Sequence, residues 1–472
     1  MTETAPIAGK PAAAEPRNTF TGTIKLRLRT PARQRNLELG LLLVAFAINL
    51  GSIILVQFGA LGGETHSDAI TYTGLLCALV LVVHVALRIV APDADPFLLP
   101  IASVLNGLGI AMIYRIHLND GATGWASAGV RQMAWTALAI VIALAVIVLI
   151  RNHRVLQRYR YIAMFTGIVL LLLPMLPGIG QTINGARLWI NIFGFSFQPG
   201  ELAKIALAIF FAGYLVEARD SLSMVGKKFL GMRFPRARDL GPILVIWAAA
   251  MAVLIFQRDL GTSLLYFGLF LVMIYVATGR ASWVILGLGL FVGGALVASQ
   301  TLGYVQGRFN AWLDPFNPAH YDAIGGSYQL VQGMFGLAHG ELIGTGLGQG
   351  RPYLTPLADS DYIIASLGEE LGLAGLFVIF GLYLLFVARG MRIGFAGQDD
   401  FGRLLAVGLS FVIALQVFIV VGGVTRLIPL TGLTTPFLAA GGSSLVANWI
   451  IVALLLRLSD TVRTGPHLVV GP

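Results

Sequence analysis

The chain alternates long apolar stretches with short polar ones almost from end to end. Runs long enough to cross about 30 Å of hydrocarbon fall at residues 37–60, 70–91, 97–115, 131–150, 160–178, 199–217, 239–257, 261–278, 281–299, 361–388, 403–422 and 440–457. Only a helix or a closed barrel satisfies its backbone in lipid. Runs of this length therefore predict an all-α polytopic bundle of about twelve transmembrane helices. No soluble domain of useful size interrupts it. The longest gap, 300–360, is rich in Gly and polar residues. No internal repeat is evident, which weighs against a transporter of inverted halves.

Composition agrees. The chain is 57% hydrophobic and 12% charged, with mean hydropathy +0.81. Soluble domains carry about 25% charged residues, so lipid must solvate much of this surface. Residues 1–36 are rich in Ala, Pro, Thr and Arg. They have no apolar h-region of their own, so they read as a disordered basic tail rather than a cleaved signal. The one cysteine, Cys77, lies in an apolar run and reads as a small buried hydrophobe. Seven scattered histidines form no zinc signature.

The net charge of +9 would suit a nucleic-acid binder, but its distribution points to topology instead. With the N-terminus cytoplasmic, the inner segments are 1–36, 92–96, 151–159, 218–238, 279–280, 389–402 and the C-terminus. Counting helix ends, these hold 24 of the 32 Lys and Arg. That bias predicts both termini in the cytoplasm of a cell with its inner membrane spanned many times. The unusual polar segments 179–198, 258–260, 300–360 and 423–439 then all face outward, so the chemistry is expected on the extracytoplasmic side.

Several constellations there are candidates. Glu201 and Lys204 share a helix face three residues apart. They read equally as a packing brace or as substrate contacts. Asp259 sits with Arg258 in a joint of almost no length between two apolar runs. It is either a functional carboxylate or a cap and surface pair. Arg308 opens the long outer loop, and Arg187 and Arg426 lie in other outer segments. Asp361 lies near the outer end of the tenth run. Glu369 and Glu370 lie deeper and need a basic partner, a cation or a polar cavity. Candidate partners are Arg187, Lys204, Arg308 and Arg426. The block Gly344-Thr345-Gly346-Leu347-Gly348-Gln349-Gly350 follows no strand, so it is not a dinucleotide loop. It reads as a phosphate- or sugar-approaching backbone, or simply as a turn. An outer cavity lined by acids and arginines suits an amphiphile with an anionic head.

These motifs together resemble the SEDS family of cell-shape and division proteins, the RodA/FtsW group. The resemblance runs from about 97 to 458 through GARLWI, QPGELAK, QRDLGT, RFNAWLDP, the glycine block, SDYIIASLGEELG and IPLTGLTTPFLAAGGSSL, in the family's order. It implies a ten-helix core at 92–458, preceded here by two additional helices at 37–91 and followed by a short cytoplasmic tail at 459–472. It implies a peptidoglycan glycosyltransferase that polymerises lipid II into glycan strands, with a RodA-like role in elongation or, alternatively, in division. The family's essential Asp corresponds to Asp259. Arg258 stands where the family commonly has Pro.

On that reading Asp259 is the general base. Arg187, Arg308 and Arg426 would meet anionic groups, with Glu201, Lys204, Asp361, Glu369 and Glu370 completing the substrate site. The family implies a divalent cation, Mg or Mn, whose ligands the sequence does not reveal. No organic cofactor is expected. Expected partners are a class B penicillin-binding protein, lipid II, the nascent glycan strand and membrane lipid, with no nucleic acid. Two alternatives remain: a flippase for lipid-linked precursors, and a non-enzymatic scaffold for the penicillin-binding protein.

Overall fold

A computed structural model describes residues 31–64, 66–120, 127–183, 185–192, 194–223, 228–229, 232–233, 241–322 and 326–464. Each of the twelve predicted runs contains a helix. In chain order the first are α1 (Pro31–Ala60), α2 (Ser67–Val90), α3 (Leu98–Ile116), α4 (Ala128–Leu149), α5 (Arg154–Arg158) and α6 (Arg160–Leu172). A three-stranded antiparallel sheet follows, β1 (Gly180–Ile183), β2 (Ala186–Ile192) and β3 (Phe195–Phe197). Then come α7 (Pro199–Ser223), α8 (Gly241–Gln257), α9 (Leu260–Thr278) and α10 (Ala281–Thr301). The long segment before α14 contains α11 (Gly303–Leu313), α12 (Pro318–Tyr321) and α13 (Tyr328–His339). The chain closes with α14 (Ile363–Ala396), α15 (Asp400–Val424) and α16 (Gly442–Thr464).

Among the described residues, nine helices are long and apolar enough to cross a membrane. The chain is thus a multi-pass membrane protein. Helices α6, α7 and α8 fill the three other predicted positions. The most buried spans are α3 and α16, around which α4, α7, α14 and α15 pack. α1 lies on α3, and α2 on α4. The additional pair therefore covers one flank of the bundle.

The structure corrects the sequence reading at several places. α1 begins at Pro31, so residues 31–36 belong to a helix and not to the tail. Its polar start can be buried because Arg35 donates to Glu38 at 2.7 Å, and Glu38 meets His84 of α2 at 2.5 Å. Residues 1–30 lie outside the described residues. α16 runs on to Thr464 because Arg463 pairs with Asp95, which also receives Arg389. The sheet at 180–197 adds strand to a bundle expected to be all helix.

α14 is broken at Gly372, whose backbone is at φ 68° and ψ −177°. That conformation belongs to glycine. The break frees two amides, which the loop captures: Leu373 N donates to Glu341 O and Ala374 N to Leu342 O, each at 3.0 Å. The Gly-rich block continues from there. Its Leu347–Gly348 backbone lies so close to Gly59 of α1 that a side chain at Gly59 would strike it.

Candidate functional site

Asp259 occupies the joint between α8 and α9. Its backbone is extended, and its Oδ1 accepts from Thr262 N at 2.9 Å, a regular N-cap. The carboxylate is 5% exposed. Burial raises its pKa above the usual carboxylate range, opposed by the Thr262 hydrogen bonds and the charge of Arg308; Glu201 adds to the rise. The expected Arg258–Asp259 surface pair is not formed. Arg258 takes a left-handed backbone, φ 58°, and its guanidinium lies over the ring of Tyr304, 5.9 Å from the centroid.

Arg308 projects from α11 and donates to Leu430 O at 2.6 Å, in the segment joining α15 to α16. Its charge acts on both Asp259 and Asp361. Asp361 is partly buried just before α14, and burial pushes its pKa up to about 6 against the pull of Arg308, with Asp359 and Asp259 adding to the rise. The backbone of Gly432 runs between the two side chains at φ 78°. A Cβ there would lie 3.6 Å from Asp361 Oδ2 and 3.8 Å from Arg308 Nη2. Tyr304, one turn before Arg308, is pushed up to about 12 by burial; Arg258 and Arg308 pull it down and Asp259 raises it. Asp259, Arg308, Asp361 and Tyr304 thus share one polar region.

Lys204 is 1% exposed. Its Nζ donates to Glu201 at 2.7 Å, to Gln416 Oε1 at 3.0 Å and to Asn448 Oδ1 at 3.1 Å. An ammonium has three protons, so none is left for a ligand. Lys204 ties α7 to α15 and α16, and the brace reading prevails for it. Glu201 also reaches the site segment, since Thr434 donates to its Oε1 at 3.2 Å. Tyr266 of α9 donates to Gly200 O at 2.8 Å and holds the first turn of α7 in place.

Other candidates do not reach this region. Glu370 pairs with Arg115 at 3.1 Å, and its second oxygen accepts from Gly348 N at 2.8 Å. Glu369 Oε1 accepts from Arg351 N at 2.7 Å. Both glutamates therefore hold the Gly-rich block. The basic partner of Glu370 is Arg115 of α3, and Glu369 is held by the Arg351 amide; neither meets any of the four arginines and lysines expected. Arg426, at φ 61°, donates to Trp312 O and Leu313 O at 2.8 Å each. It docks α11, using two of its five N–H donors on those carbonyls. Arg187 is exposed on β2, opposite Thr182, and joins none of these carboxylates.

Sequence reasoning missed Arg115, Gln416 and Asn448. A lone arginine closing an apolar run was a usable signal for the first. The two amides carried none.

The fold and this acid–arginine site define a multi-pass membrane protein of the FtsW/RodA/SpoVE family, described as a cell cycle protein, whose sequence profile matches residues 96–464; the chain belongs to that family. Within it the chain is RodA-like. It is 46% identical over 434 residues to the peptidoglycan glycosyltransferase RodA of Mycobacterium tuberculosis, covering 91% of each chain. The Mycobacterium leprae RodA is 45% identical, over 92% of this chain and 93% of that one. The crystal structure of the Thermus thermophilus rod shape determining protein RodA shares the fold, with TM-score 0.53 at 24% identity, over 79% of this chain and 98% of that one. A chain from a structure titled for polymerization and crosslinking by a peptidoglycan synthase complex matches with TM-score 0.53 at 24% identity, over 84% of this chain and 98% of that one.

Proposed function

We propose that this protein is a peptidoglycan glycosyltransferase that polymerises lipid II for wall elongation. The observation that carries the reading is a buried carboxylate, Asp259, at a two-residue helix joint, sharing the charge of Arg308 with Asp361. The acceptor sugar hydroxyl attacks the donor's anomeric carbon. The bond to the diphosphate oxygen breaks, lipid diphosphate leaves with that electron pair, and Asp259 takes the hydroxyl proton. A diphosphate is already a good leaving group, so no second acid is required, unlike glycoside hydrolysis. The raised pKa of Asp259 strengthens it as a base near neutral pH. Arg308 offsets the charge that develops.

The described residues hold no cluster of three or more candidate metal ligands. A divalent cation would take Asp259 or Asp361 and complete its shell with diphosphate oxygens, the usual habit of Mg²⁺. It would supply further charge neutralisation there. The Lys and Arg bias supports cytoplasmic termini with this site facing outward. The neighbour titled for coordinated polymerization and crosslinking supports a crosslinking partner, which we read as a class B penicillin-binding protein.

The test uses the purified full chain with lipid II in detergent. Glycan polymer should form. No vesicle is present, so transport cannot give this signal. If lipid II is consumed into no polymer, with or without a class B penicillin-binding protein, the reading is overturned in favour of a scaffold or flippase.

A further inference from the structure

Two arginines in the outer segments adopt left-handed backbone, Arg258 at φ 58° and Arg426 at φ 61°. For a residue with a Cβ this conformation costs about 1–2 kcal/mol. Glycine pays no such penalty. Arg426 recovers the cost by donating two hydrogen bonds to α11 carbonyls. Arg258 has no such return. Among the described residues its guanidinium has no carboxylate or carbonyl partner, and it lies over the face of Tyr304. Backbone strain retained without local compensation marks a functional position.

The location narrows what that function is. Arg258 adjoins Asp259 in the chain. It is exposed, and Tyr304 beneath it lies one turn from Arg308. Stacking on an aromatic face holds a guanidinium in plane while leaving its N–H fork free. Such a fork matches a phosphate bidentately. Arg308 already donates to Leu430 O and serves two carboxylates, so a second cation is needed for a diphosphate carrying more than one charge.

We propose that Arg258 is a substrate-binding residue whose guanidinium, stacked on Tyr304, clamps the diphosphate of the lipid-linked substrate beside Asp259. This rests on the glycosyltransferase reading. The shared chemistry is a phosphate ester at the membrane surface, which a phospholipid headgroup also offers.

The test is lipid II polymerisation in detergent free of phospholipid, with Arg258→Gly and Arg258→Lys. Glycine suits the left-handed joint, so Arg258→Gly should melt no lower than wild type. Loss of a charge-assisted hydrogen bond at an exposed site should raise its KM about tenfold, with a smaller change in kcat. Lysine keeps the charge but not the fork and should fall between. Farnesyl diphosphate, with farnesol as its uncharged control, should bind wild type in preference to the alcohol, and Arg258→Gly should lose that preference. An unchanged KM with the preference intact overturns the proposal. Should wild type make no polymer, the glycosyltransferase reading itself fails, which is a different result. If Arg258→Gly does not fold, Arg258→Gln provides the same comparison.

Discussion

Arg115 Nε donates to Glu370 Oε1 at 3.1 Å across 255 residues of chain. The same arginine donates to Gly350 O at 2.8 Å. The pair and the loop it secures form one unit. Glu370→Gln should strand a buried guanidinium and cost about 3–5 kcal/mol, read as a lower melting temperature in detergent. Arg115→Met with Glu370→Met should recover most of it. A double loss equal to the sum of the two single losses would show that the pair carries no coupling.

Asp259→Asn keeps size and a hydrogen-bonding carbonyl but is not a carboxylate base. Polymerisation should fall by about 10²–10⁴ or more, while the cap to Thr262 N and the melting temperature hold. Near wild-type turnover would move the base to Asp361.

Asp361 provides a pH test. Burial raises its folded pKa to about 6, above the ordinary carboxylate value of 3.8. A raised carboxylate pKa gives stability that is complete below about pH 4 and is lost as pH rises through 6. Asp361→Asn should therefore be more stable than wild type at pH 7.5, by about 3 kcal/mol. The gap should close toward pH 4. Melting curves across that range decide it; a gap that does not depend on pH rejects the assignment.

For Lys204, the three-way brace predicts that Lys204→Met lowers the melting temperature sharply. Adding Glu201→Gln should cost less than the sum, because the two share one network. Stability unchanged with activity lost would return Lys204 to the substrate site.

Orientation is checked with single cysteines at two exposed positions, Gln349 and Ser221, in a Cys77→Ala background. A membrane-impermeant thiol reagent on intact cells should label Gln349→Cys and spare Ser221→Cys. The reverse pattern would place the site in the cytoplasm.

The membrane-spanning helices, nine of them among the described residues, were legible because lipid demands an apolar length, and length survives in the sequence without any tertiary information. Asp259 was legible for a related reason: a joint too short for anything else leaves its charge conspicuous. What Glu369 and Glu370 do was not. Their acidity was plain, but the partners are a loop's own amides and an arginine on another helix, and pairing at such range is a property of the packed bundle. The sheet at 180–197 left a fainter trace in Gly178, Gly185 and Gly194, all at positive φ, which punctuate the segment at hairpin spacing. The hold of Arg426 on the carbonyls of Trp312 and Leu313 was likewise hidden, because it joins segments more than a hundred residues apart.

The seat of Gly59 against Leu347 and Gly348 bears on how far this chain is modular. The first two helices precede the family region and look like a detachable appendix. Yet α1 forms the back wall of the loop that Glu370 holds from the other side, and Asn49 of α1 donates to Ser103 O of α3 at 3.1 Å. Cutting the chain at about residue 92 would leave not a smaller version of the same protein but one with its glycine loop unsupported and a polar seam on α3 open to lipid.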